Sequence, residues 1–120
     1  MTFMHKDLAA GRWQQFTLAT QMANIGSEVE RAINWKNKGD AESAWHAVVR
    51  MLELIDLTIA DPKNRRRLKE VVRAREMLVD YLVYDNIYHS TDEQWKNYFY
   101  FFTLLSNRQR AEARKARKES

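Results

Sequence analysis

The chain has no cysteine, which excludes disulfides, thiolate metal sites and cysteine nucleophiles at once. It has only one proline and three glycines. That is little punctuation for a sheet protein with many turns, whereas the helix formers Ala, Leu, Glu, Arg and Met are plentiful. No stretch approaches the roughly 20 consecutive apolar residues of a membrane span. The start, Met1-Thr2-Phe3-Met4-His5-Lys6-Asp7, carries an early acid and leads into no apolar run of secretory length. A cytoplasmic protein with no membrane partner is therefore expected. Glycine-rich phosphate loops and Gly-x-Ser-x-Gly elbows are missing too.

What remains reads as helices in one domain over residues 1–120. Residues 1–16 form an arm with Phe3, Met4, Leu8, Trp13 and Phe16 as apolar anchors. From the N-cap candidate Thr17, Leu18, Met22, Ile25, Val29 and Ala32 step by four and three, and Lys38-Gly39-Asp40 ends the helix. Gly26 interrupts that stripe at a cost of up to about 1 kcal/mol relative to Ala, which implies a close crossing. A second helix over 41–60 presents Trp45, Val48, Leu52, Ile55 and Ile59, and Asp61-Pro62 breaks it. The third, over 63–84, shows Leu68, Val71, Val72, Leu78, Val79 and Leu82. The fourth starts near Ser90, where Ser90 and Glu93 have capping-box spacing, and carries Trp95, Tyr98, Phe99, Phe102 and Leu105 on one side.

Short connections favour antiparallel neighbours. The expected fold is all-α: an antiparallel up-down-up-down four-helix bundle over 17–107, with the N-terminal arm and a basic C-terminal helical extension over 108–120.

Charge is segregated. Residues 63–75 carry a net +6 and residues 108–119 a net +4, so the rest must carry −6 to reach the overall +4. In the expected topology the start of helix 3 and the end of helix 4 lie together, making one positive pole. The opposite end collects Trp35, Lys36, Lys38, Asp40, Glu42, Tyr84, Asp85, Tyr88, His89, Asp92 and Glu93, a mixed but net acidic and aromatic rim. Cations are favoured at a helix C-terminus and disfavoured at an N-terminus. The tail is therefore explicable by helix stability, whereas Lys63, Arg65, Arg66 and Arg67 need another reason. The candidate nucleic-acid contacts are Lys63, Arg65, Arg66, Arg67, Lys69, Arg108, Arg110, Arg114 and Lys115. An acidic protein surface is the other ligand such a pole fits.

No residues point to catalysis, and no cofactor or metal is expected. Glu42 and His46 share a helix face as a solvated pair, and Ser43 and Asn86 stand where a Glu-x-x-His motif needs glutamate. Asp56 and Arg75 fall within apolar arcs, which suggests a core ion pair or a pocket. Tyr100, Phe101 and Leu104 give helix 4 a second apolar face, for a second copy of the chain, for a protein partner or for the folded-back arm.

Ile25-Gly26-Ser27-Glu28-Val29, Asp61-Pro62-Lys63-Asn64-Arg65 and the aromatic-to-basic helix 4 look like those of small prokaryotic helical proteins. Over 17–117 the size, basicity and helix pattern resemble the four-helix proteins of ribosomal-RNA intervening sequences and the accessory variability proteins of diversity-generating retroelements. That resemblance implies a homo-oligomeric, non-enzymatic accessory protein that binds nucleic acid or a nucleic-acid enzyme such as a reverse transcriptase. The alternative is a protein-interaction adaptor without nucleic acid.

Overall fold

Three of the four helices begin where a side chain takes up a free N–H group of the first turn. In the computed structural model, which describes residues 11–119, Thr17 Oγ1 accepts from the Thr20 N–H at 3.2 Å and opens α1 (Leu18–Asn37). Asp40 Oδ1 accepts from the Ser43 N–H at 3.0 Å and opens α2 (Ala41–Ala60). These hydrogen bonds hold the Asp40 carboxyl below the usual carboxylate range. Gly39, at φ 81°, makes the turn between the two helices in a conformation that favours glycine.

The third helix departs from expectation. Residues Pro62–Arg67 wind as a 3-10 segment, and α3 proper spans Leu68–Leu82 rather than 63–84. Buried Asn64 ties the segment inward, donating to Gln21 Oε1 at 2.8 Å and to the Thr58 carbonyl at 3.0 Å. At the other end, buried Asp80 accepts from the Ile87 and Tyr88 N–H groups at 2.9 and 3.2 Å, folding the connection back. Tyr88 therefore lies along α3, with Arg73 over its ring and its hydroxyl donating to Glu76 at 2.8 Å.

The start of α4 (Asp92–Glu119) is also shifted by a residue. The capping box is Thr91 and Gln94: Gln94 N–H donates to Thr91 Oγ1 at 3.1 Å and Thr91 N–H to Gln94 Oε1 at 2.9 Å. Ser90 is buried and engaged instead with Asn86 through two reciprocal hydrogen bonds of 2.8 and 2.9 Å. The basic extension continues α4 without a break.

The four helices form an all-α bundle, with no strand among the described residues. α1 packs along α2 and α4, and α2 packs on α3. One core unites Met22, Ile25, Val29 and Ile33 of α1, Val48, Met51 and Ile55 of α2, Val71 and Leu78 of α3, and Trp95, Phe99 and Phe102 of α4. Burial of each such side chain contributes about 1.5–3 kcal/mol. Gly26 sits where α1 crosses α4, and a Cβ there would lie 2.5 Å from Phe99 Cβ. The close crossing read from the sequence is present.

Three side chains in the expected stripes face solvent: Trp45 is 52% exposed, Val72 45% and Leu68 36%. The inner face of α2 is instead Ala47, Val48, Met51, Leu54, Ile55 and Thr58. Asp56 and Arg75 meet at 2.8 Å, but across the outer edge of α2 and α3, with side chains 54% and 39% exposed. This is a surface pair, not a core one, because both residues flank the contact face rather than lie in it. A buried carboxylate on α1, that of Glu28, is held instead by Arg31 at 2.7 Å and Arg50 at 3.1 Å. Of the arm, Trp13 lies in a 3-10 turn (Arg12–Gln15) and is fully buried, its indole N–H donating to Thr58 Oγ1 at 2.9 Å. Phe3, Met4 and Leu8 lie outside the described residues.

Candidate anion-binding pole

A buried polar cluster builds this end of the bundle. Gln21 on α1 donates to the Trp13 carbonyl at 3.0 Å and to Asp61 Oδ2 at 2.9 Å, and it accepts from Asn64. Asp61 is 4% exposed and ends α2. Burial disfavours its charge, but the Lys63 ammonium, the Gln21 amide and the Lys63 N–H outweigh that and hold its carboxyl below the ordinary range. The cluster anchors the 3-10 segment to three elements, so its side chains leave from a fixed backbone.

That backbone sorts the basic run. Lys63 turns inward, its ammonium bonded to Asp61 Oδ2 and to the Gln14 carbonyl. Arg67 Nε donates to Glu70 at 2.7 Å. Arg65, Arg66 and Lys69 are exposed and make no ion pair among the described residues. The expected clash of Lys63–Arg67 with the dipole of helix 3 is softened, because the α-helix starts only at Leu68. Asp61 and Glu70 also bracket the cations.

The second basic cluster does come to the same end. Thr17 donates to Gln109 Oε1 at 2.8 Å, and the Thr20 and Ser106 hydroxyls are 2.6 Å apart, so this part of α4 lies beside the start of α1. The start of α1 is also where Gln21 holds the 3-10 segment. Arg108 pairs with Glu112 at 3.2 Å, while Arg110, Arg114 and Lys115 are exposed. Arg12, exposed on the 3-10 turn beside buried Trp13, joins the same end, and the sequence pattern does not single it out. Only burial of the neighbouring Trp13 places it there, and no local spacing signals that burial.

At the far end Asn37 donates to Asp92 at 3.2 Å, which brings together the end of α1 and the start of α4. Glu42 and His46 are both exposed on the first turns of α2. Among the described residues no group of three or more His, Asp or Glu is placed to hold a metal, and no helix is long and apolar enough to cross a membrane. Tyr100, Phe101 and Leu104 stand 60%, 59% and 51% exposed on the outer face of α4.

Fold and pole together define an all-α helical bundle with a cationic end. No known protein family, curated protein or solved structure matches the chain.

Proposed function

We propose that this is a non-enzymatic, self-associating accessory protein that binds nucleic acid, alone or with an enzyme acting on it such as a reverse transcriptase, through the basic pole. The observation that carries this reading is the contrast within one short segment. Lys63 and Arg67 are held by carboxylates, whereas Arg65, Arg66 and Lys69 are presented to solvent from a backbone locked by buried hydrogen bonds. Cations displayed in this way, without an acid to neutralise them, are suited to phosphate oxygens. The α4 cations at the same end extend the positive field.

Binding of labelled single-stranded RNA and duplex DNA, measured against salt, tests the reading. Affinity falls steeply with salt. The joint substitution Arg65→Gln and Arg66→Gln reduces the slope of log K against log salt by about 1.4–1.8, at roughly 0.7–0.9 for each phosphate no longer neutralised. Arg110→Gln with Arg114→Gln has a smaller effect. Weak binding indifferent to salt excludes the proposal.

A further inference from the structure

The outward face of α4 is complementary to itself when the helix is reversed. At about 100° per residue, Glu93, Asn97, Tyr100, Leu104, Arg108, Ala111 and Lys115 form one straight stripe centred on Leu104. All seven are exposed. Phe101 flanks the stripe on one side, and Lys96 and Glu112 lie symmetrically on its two edges.

We propose that a second copy of this chain docks here, α4 against α4 and antiparallel, with Leu104 on the twofold axis. This rests on the self-associating reading above and specifies its geometry. Under that symmetry residue i faces residue 208 − i, so Leu104 meets Leu104 of the other copy. Tyr100 then faces the guanidinium of Arg108, a cation–π pairing. Glu93 faces Lys115. Each charged residue of the stripe itself, Glu93, Arg108 and Lys115, thus meets the opposite charge or an aromatic ring. A parallel pairing would instead set Glu93 on Glu93 and Lys115 on Lys115.

Charge complementarity is joined by a second observation. The Thr17–Gln109 hydrogen bond joins α4 to the start of α1, and beyond it residues 110–119 are exposed on all sides. A lone helical segment of that length is marginal in water. In the antiparallel pair residues 110–116 lie along residues 92–98 of the other copy and gain a neighbour. Part of the tail charge then serves the interface, which leaves the 3-10 segment as the principal anion contact.

Because the chain has no cysteine, directed cross-linking is clean. Mixing full-length Tyr100→Cys with full-length Arg108→Cys yields an oxidised heterodimer, and neither variant alone cross-links, since only the antiparallel register brings the two positions within disulfide reach. By sedimentation at micromolar concentration the unsubstituted chain is a dimer. Leu104→Glu is a monomer with unchanged circular dichroism. Glu93→Lys raises the dimer dissociation constant about tenfold or more, and adding Lys115→Glu restores it.

A monomeric unsubstituted chain overturns the inference, as does efficient self-cross-linking of Tyr100→Cys or tighter association of Glu93→Lys. A monomer whose thermal stability drops with Leu104→Glu identifies residues of the same chain as the cover, and likewise overturns it. Salt-dependent nucleic-acid binding is read separately on the same proteins. Binding without dimers removes self-association and this inference with it but leaves the anion-binding reading, whereas dimers without binding remove only the anion-binding reading.

Discussion

Gln21 and Asp61, 40 residues apart in sequence, are joined by a 2.9 Å hydrogen bond inside the basic end of the bundle. The bond couples the first turns of α1 to the turn from which the exposed arginines leave. Gln21 is wholly buried and satisfies three groups: the Trp13 carbonyl, Asp61 and Asn64. Gln21→Leu keeps the volume but removes all three bonds. A stability loss of about 1–3 kcal/mol is expected, read as a lower urea midpoint at unchanged m-value.

Asp61 makes the same end sensitive to acid. Its carboxyl titrates lower in the folded protein than in the unfolded chain, despite opposing burial, because Lys63 and Gln21 bind the charged form. The unfolded chain therefore takes up the proton first as the medium is acidified. The stabilising contribution is complete above about pH 4, the ordinary carboxylate value, and is lost as pH falls through the lowered folded value. Urea unfolding across that range should show a decline that Asp61→Asn makes shallower.

Gly26→Ala tests the α1/α4 crossing. The new methyl would meet Phe99 Cβ at 2.5 Å and Cγ at 2.7 Å, atoms too close to the backbone to swing aside. Overpacking costs about 1–3 kcal/mol, against a gain of up to about 1 kcal/mol from helix propensity. Net destabilisation by thermal unfolding is the expected result.

The two tryptophans near opposite ends of the chain's first half should behave in opposite ways. Trp13→Ala empties a fully buried site and strips Thr58 of its indole partner, a loss of about 3–5 kcal/mol. Trp45→Ala removes a side chain that is 52% exposed, and its effect should stay within about 0.5 kcal/mol. Thermal denaturation of the two variants side by side decides this.

Much of the architecture is legible in the sequence because its causes are local. Thr17 and Asp40 are caps whichever neighbours the helices find, Gly39 permits a positive φ, and the Trp95, Phe99, Phe102 spacing marks one face of a helix. Angle alone also places Tyr100 and Leu104 outward. Short connections then bring the two basic clusters to one end. The 3-10 segment is not legible, because nothing in Pro62–Arg67 announces that Asn64 will be drawn into contact with Gln21.

The sequence by itself determined a four-helix chain with its charge divided between two ends, since capping, 3.6-residue periodicity and connection length act over a few residues. Tertiary structure alone decided which edge of each apolar arc is buried. An arc is wider than the contact it makes, so Trp45 and Val72 went outward, and Asp56 and Arg75 met at the surface. It also decided which basic side chains are neutralised: Lys63 and Arg67 found carboxylates, while Arg65, Arg66 and Lys69 did not. That choice depends on the backbone path fixed by Gln21, Asp61 and Asn64, three residues whose meeting no local pattern encodes.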